Sequence, residues 1–448
     1  MTVISQLAEF VAHASTAALT HAERELQHRH VLDTVVAAVA GAQTGEAKSL
    51  AALMRQRALP ERIGQRAATI RLSEVDDIHL VSCTTPSATA VAVALSLAEH
   101  LQRFDPVEVA SAIWVGTELM TRMGEAVRGP EILYRGVWPS CFAAPLSAAA
   151  TAARLHRLDA SRAADALSLA MMLATRGTGR PHGSPSARWV MFAMAVAAGL
   201  SAVAAVETGY RGDPALLDGC AFEDAWGFAL DRDRLAAITP RRSCYPALSL
   251  KPFCSAKQSI AAVEALRMLL ASGIKPDAIA AVRVKVPPAY LGMISLKAQD
   301  QVRTTTLVSA ARQLALLAID PERLYDVDRS RPMIAKERVA ELEAKITIVA
   351  EPALACHYPR SWPAEVEVLS TDGGTLRELV VAAPGDPERA LDAAAVDNKA
   401  HHLLDGLIGV AAATELIDIA GRGLESEADC RALAAKFAQM SAAVGAKG

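Results

Sequence analysis

Four stretches of the chain gather acidic, basic and hydroxyl side chains immediately ahead of apolar runs. Asp76-Asp77-Ile78-His79 leads into Ser82-Cys83-Thr84-Thr85-Pro86, and Tyr134-Arg135-Gly136-Val137-Trp138 leads into Pro139-Ser140. Arg180-Pro181-His182-Gly183 runs towards Arg188, and Lys251-Pro252-Phe253-Cys254 runs towards Lys257. A helix N-terminus offers free N–H groups and a positive dipole end, so it favours anions. Lys and Arg added there suit a carboxylate or phosphate ligand. The alternative for any one loop is ordinary capping by Asp, Ser and Thr, with the cations solvated. Proton-moving candidates in these loops are Asp77, His79, Tyr134, His182, Cys254 and Lys257.

Other chemistries lack their signatures. The chain has no GxxxxGK[ST], GxSxG or HExxH run. Gly177-Thr178-Gly179, with Gly183 downstream, follows a helical stretch rather than a strand, which argues against a dinucleotide loop. His28/His30 and His401/His402 sit on polar helical stretches and are expected to be solvated; Cys356-His357 is expected in a surface loop. Lys plus Arg number 46 and Asp plus Glu 49, a net charge of −3 without blocks of one sign, so neither a nucleic-acid footprint nor a polybasic membrane patch is present. Seven widely spaced cysteines without a CxxC point to a reducing compartment, with no metal knuckle or disulfide framework. The opening MTVISQLAEF has no basic n-region, so a cytoplasmic location without a signal peptide is expected.

The elements that must position these loops are mostly helices. Hydrophobic residues make up 52% of the 448 residues but aromatics only 4%, so the apolar surplus is Ala, Leu and Val. Thr20 with Glu23 reads as a capping box opening a helix that stops at Gly41. Further helices are expected at Leu50–Arg57 (capped by Ser49), Ser87–His100, Pro106–Met123, Ala143–Leu155, Ala160–Thr175 and Trp189–Thr208. Trp189–Val206 is apolar over 18 residues, the lower edge for a membrane span, but its Ala and Gly content suits a buried core helix. The pattern changes near Leu250. Ile279–Val286 and Lys345–Glu351 alternate as strands, and Ala364–Ser370 and Thr375–Ala382 flank Thr371-Asp372-Gly373-Gly374, a hairpin signal. Helices at Ser259–Ser272 and Thr306–Ala318 lie between them, and helix returns at Pro387–Ala394, Ala400–Leu407 and Ala428–Ala443. The chain therefore divides into a helical stretch 1–249, an α+β stretch 250–386 and a second helical stretch 387–448.

The order of these segments resembles the MmgE/PrpD family over nearly the whole chain. LDTVVAAVAG, with Asp33 and Gly41, is similar to that family's first-helix pattern, and VDDIHLVSCTTPSATAVAVAL to its Asp…Pro-Ser loop and following helix. RGVWPSCFAAPLSAAATAARLHRLDASRAADALSLAM, ARWVMFAMAVAAGLSAVAAVETGYRGDPALLDG and SLKPFCSAKQSIAAVEAL resemble its later segments. The resemblance implies a mainly α fold: a large all-helical domain built from both chain ends, with a smaller inserted α+β lid domain. It also implies a homodimer and cofactor-free chemistry on small di- or tricarboxylates, as in 2-methylcitrate dehydratase, cis-aconitate decarboxylase and iminodisuccinate epimerase. The shared step handles a proton on a carbon next to a carboxylate, which needs a base, cations over the developing charge and a dry site.

The departures from the family are informative. The dehydratase and decarboxylase branches carry His where this chain has Thr85 and Trp138, Lys where it has Arg188, and Tyr where it has Arg312. An arginine keeps the charge but cannot donate a proton near neutral pH. The Thr-Thr-Pro loop and Lys-Pro-Phe-Cys segment look more like the epimerase branch. Expected proton-transfer residues are Tyr134, His182, Lys257 and Asp77; expected substrate-binding residues are Thr85, Trp138, Arg188, Lys251 and Arg312. The expected activity is a cofactor-independent isomerase or epimerase of a small polycarboxylate or amino-dicarboxylate. The alternatives are a lyase of the same family, or a non-catalytic carboxylate binder.

Overall fold

In the computed structural model of the chain the described residues are 1–175, 179, 186–330, 333 and 335–446. Helix accounts for 64% of the protein and strand for 7%, which makes it mainly α with a small α+β region. Local chemistry explains most helix starts. Thr20 Oγ1 accepts from Glu23 N at 3.2 Å while Glu23 Oε2 accepts from Thr20 N at 3.0 Å, opening His21–Ala42 as the sequence leads one to expect. Asp105 accepts from Glu108 N at 2.9 Å and Pro106 occupies the first position of Pro106–Ala126.

Four expected helices differ in the structure. Leu50–Arg57 is part of Gly45–Met54, because Thr44 rather than Ser49 is the cap; its hydroxyl accepts from Ala47 N at 3.2 Å. The expected Thr306–Ala318 helix is two, Arg303–Val308 and Ala310–Ile319. Ser309 leaves helical geometry between them and caps the second by accepting from Arg312 N at 3.4 Å. Pro387–Ala394 reduces to a 3-10 turn, Pro387–Arg389, and Ala400–Leu407 lies within a longer helix, Ala393–Ile408.

Two compact units emerge. One takes the chain up to Leu248 and again from Leu404; the other is Ser249–Leu403. In the first, Ala187–Glu207 packs against Leu59–Leu72, Pro139–Leu155 and Ala160–Met172. Glycines permit the close approach: a Cβ on Gly64 would lie 2.1 Å from the Ala193 carbonyl oxygen, and one on Gly199 would lie 2.2 Å from that of Pro145. Ala187–Glu207 is apolar and long enough to cross a membrane, but Trp189, Phe192, Val196, Leu200 and Val203 are buried within the unit, as in a core helix.

The second unit holds a four-stranded sheet in the order 346–350, 279–286, 364–370, 375–380. Ile279–Val286 pairs parallel with Ile346–Ala350 and antiparallel with Ala364–Ser370, which pairs antiparallel with Thr375–Val380. The hairpin turn is where the sequence places it, with Gly373 at φ 89°. Val282, Val284, Val366 and Val368 are buried, and the Lys257–Ala271 helix packs against the two hairpin strands.

Candidate active site

The first polar loop follows the Leu59–Leu72 helix and is folded inward. Asp76 and Asp77 are both fully buried. Arg71 Nη1 lies 2.5 Å from each Asp76 oxygen. Burial works to lower the Arg71 pKa, but the Asp76 and Glu74 carboxylates outweigh it and hold it above its ordinary value. Asp77 accepts from His30 Nδ1 at 3.0 Å, from Ser87 Oγ at 2.5 Å and from Ser87 N at 3.3 Å. It therefore caps the Ser87–Leu101 helix and orients an imidazole. His30, expected in solvent, is instead buried and lies against Tyr245, with ring centroids 5.7 Å apart. Its helix is polar only over its first turns; His30 begins the fully buried stretch.

His79 in the same loop is buried, and its Nδ1 accepts from Ser82 N at 3.3 Å. Burial pushes its pKa down to about 3, helped by Arg122 and opposed by Asp77. A neutral ring follows, so the 3.8 Å approach of Glu125 is a contact and not an ion pair. Thr85 is buried; its N–H donates to Ser140 Oγ at 3.2 Å and the two hydroxyls lie 3.1 Å apart. Ser140 lies in the first turn of the helix that follows Trp138, so the first two polar stretches meet here.

Tyr134 closes the short Gly129–Tyr134 helix and is half-buried. Trp138, also half-buried, precedes the Pro139–Leu155 helix. The Arg188 guanidinium stands 5.3 Å from the Trp138 ring and 4.2 Å from the Trp189 ring, and its Nη2 donates to Glu74 Oε1 at 2.9 Å. The structure thus joins two predicted residues, Trp138 and Arg188, by cation–π contact. It adds Glu74, which sits 114 positions from Arg188 and gives no local signal. The Cys141 thiol is pushed up to about 12 by burial, although Arg71 and Arg188 pull the other way. His182 lies outside the described residues.

In the second unit Lys251 and Lys257 are buried. Lys257 Nζ lies 2.8 Å from Asp386 Oδ1, and Asp386 also accepts from Ser249 Oγ at 3.0 Å and Ala383 N at 2.8 Å. Arg312 is held by Asp300 at 2.8 Å and Glu343 at 2.5 Å. Burial works to lower its pKa, and those two carboxylates more than reverse it. Burial pushes the Cys254 thiol up to about 11, and the charges of Arg329, Lys399, Arg303 and Lys251 work the other way. Of these the sequence reading singled out only Lys251.

Two family models match the chain. Residues 65–230 match the MmgE/PrpD N-terminal domain and residues 253–422 the MmgE/PrpD C-terminal domain. No curated protein matches it. The first match contains Asp77, Thr85, Tyr134, Trp138 and Arg188; the second contains Lys257 and Arg312. Together the two models account for most of the chain, in family order and around these loops, so the chain belongs to the MmgE/PrpD family.

Proposed function

We propose that the chain is a cofactor-independent isomerase or epimerase of a small polycarboxylate or amino-dicarboxylate. Family membership supports an enzyme of the dehydratase, lyase or isomerase type acting on a small acid. The observation that favours isomerisation is the state of the two positions where the lyase branches resembled above carry His. Thr85 is hydrogen-bonded to Ser140, and Trp138 is stacked on Arg188. Neither side chain exchanges a proton near neutral pH. Elimination of water or CO2 by the family's His pair has no counterpart at these positions.

In the proposed reaction a base removes the proton α to a carboxylate. The electron pair passes into that carboxylate as an enediolate, and an acid on the opposite face returns a proton to the same carbon. Nothing is gained or lost, and one stereocentre inverts. We assign proton transfer to Tyr134 and His182. Arg188, Lys251 and Arg312 supply positive charge for carboxylates, and Thr85 and Trp138 line the substrate. Asp77 and Lys257, engaged by Ser87 and His30 and by Asp386, act as positioning residues.

Proton NMR in D2O with citrate, methylcitrate, cis-aconitate and iminodisuccinate-type amino acids tests this. Exchange of an α-proton for deuterium without net loss of substrate is expected, and His182→Ala should slow it by roughly 10²-fold or more. New vinyl signals would replace the isomerase by a lyase. Silence across the panel would leave a carboxylate binder.

A further inference from the structure

Within the second unit lies a cavity of about 190 Å³ whose charged lining is markedly cationic. Among the described residues Arg312, Arg323, Arg329 and Lys336 line it, with Thr306 and one carboxylate, Asp300. That volume is well beyond the roughly 10–15 Å³ that one water needs. Three of the four cations have carboxylate partners. Arg312 is held by Asp300 and Glu343, Arg323 lies 2.9 Å from Asp326, and Lys336 lies 2.9 Å from Asp300.

Arg329 differs. Its Nη1 donates to the Arg323 carbonyl and its Nη2 to the Cys254 carbonyl at 3.3 Å. Its Nε is buried without a hydrogen-bond partner among the described residues, and no described carboxylate lies within ion-pair distance of it. Burial, together with Arg323 and Arg303, pulls its pKa down to about 10, while Asp326 and Cys254 work the other way. A half-buried guanidinium whose hydrogen bonds go to carbonyls, with Asp326 acting on it only from beyond ion-pair distance, is costly to keep charged, and an anion beside it offsets that cost. Its sequence neighbourhood keeps it there: Arg329 adopts φ 55°, a left-handed conformation that an arginine rarely takes unless the fold imposes it.

We propose that this cavity is an anion seat that receives a carboxylate group of a small polycarboxylate, with Arg329 as its principal donor. The proposal rests on the small-acid reading above and adds three cations, Arg323, Arg329 and Lys336, to the expected Arg312. A planar guanidinium matches a carboxylate in fork geometry, and Lys336 contributes charge without fixed orientation. Asp300 is already paired with both Arg312 and Lys336, so the charged lining remains net positive and favours an anion.

Isothermal titration calorimetry of the full chain with tricarballylate, an achiral tricarboxylate, at low ionic strength tests the seat. Wild type should bind, and Arg329→Gln should weaken binding by about tenfold or more, while Arg329→Lys recovers part of it. Lys336→Gln, at a largely exposed side chain, provides a variant expected to fold and should lose roughly threefold or more. No heat with wild type at up to about 10 mM, or unchanged affinity in whichever variant folds, overturns the seat. The α-proton exchange assay separates this from the activity. Binding lost in Arg329→Gln with no exchange in any protein retains the seat and rejects the isomerase. Exchange with unaltered KM in Arg329→Gln retains the isomerase and rejects the seat.

Discussion

At the residue scale, Arg188, proposed above as a recognition group, is also held by structural contacts. Its charge is answered by Glu74 and its faces by two indoles, at positions only 12% and 10% exposed for the ion pair. Arg188→Ala strands the Glu74 carboxylate and unpacks Trp138, so urea denaturation should show a loss of roughly 2–4 kcal/mol. A loss well below about 1 kcal/mol would mean the pair behaves as a solvated one. His79 makes a second prediction. The unfolded chain binds a proton there near 6.5, whereas the folded chain resists until about 3. Below the first value the unfolded state holds more protons, so stability falls as pH drops through that window, by about 1.4 kcal/mol per pH unit from this group. His79→Gln should remove about one proton's worth of that slope in denaturation curves taken across the window; an unaltered slope would place His79 in contact with water. The polar loops were legible because Asp, His, Thr and Arg interrupt long apolar stretches. Their partners were not: His30, Glu74 and Arg329 meet the loops only after the chain folds back on itself.

At the element scale, helices announced by a cap or a proline were legible, as at Thr20, Pro106 and Pro86. The hairpin around Asp372-Gly373 was legible for the same reason, since few residue pairs satisfy that turn. Breaks that depend on competing local hydrogen bonds were not, as Ser309 shows by splitting one apolar stretch into two helices. The helix–helix contacts of the first unit turn on small residues. Gly64→Ala would force a Cβ against the Ala193 backbone, which cannot yield as a flexible side chain would. Thermal or urea unfolding should show a loss of about 1–3 kcal/mol, against the slight gain that alanine brings to an exposed helix. A gain would mean that Leu59–Leu72 and Ala187–Glu207 sit farther apart than the geometry places them.

At the scale of the whole molecule, the family resemblance leads us to propose a homodimer. Sedimentation velocity should give about twice the 47.2 kDa of one chain, and a single boundary at the monomer mass would reject the dimer. Composition and periodicity were enough to read a mainly α protein with one α+β region, because alanine-rich 3.6-residue patterns and alternating valines are local properties of the chain. The membrane-length helix is the clearest limit of that reading. Hydropathy alone fits a span or a core helix, and only the packing of Ala187–Glu207 against three other helices within the first unit identifies it as core. The same division holds for the candidate site. Residue types along the chain indicate carboxylate chemistry, since charge and proton-transfer capacity belong to each side chain. Which cation is already paired, which histidine is buried and which guanidinium has no carboxylate within ion-pair distance among the described residues are decided by long-range contacts. Those contacts join residues far apart in the chain, as His30 meets Tyr245 and as Ser249 meets Asp386 137 positions on, and no local pattern encodes them.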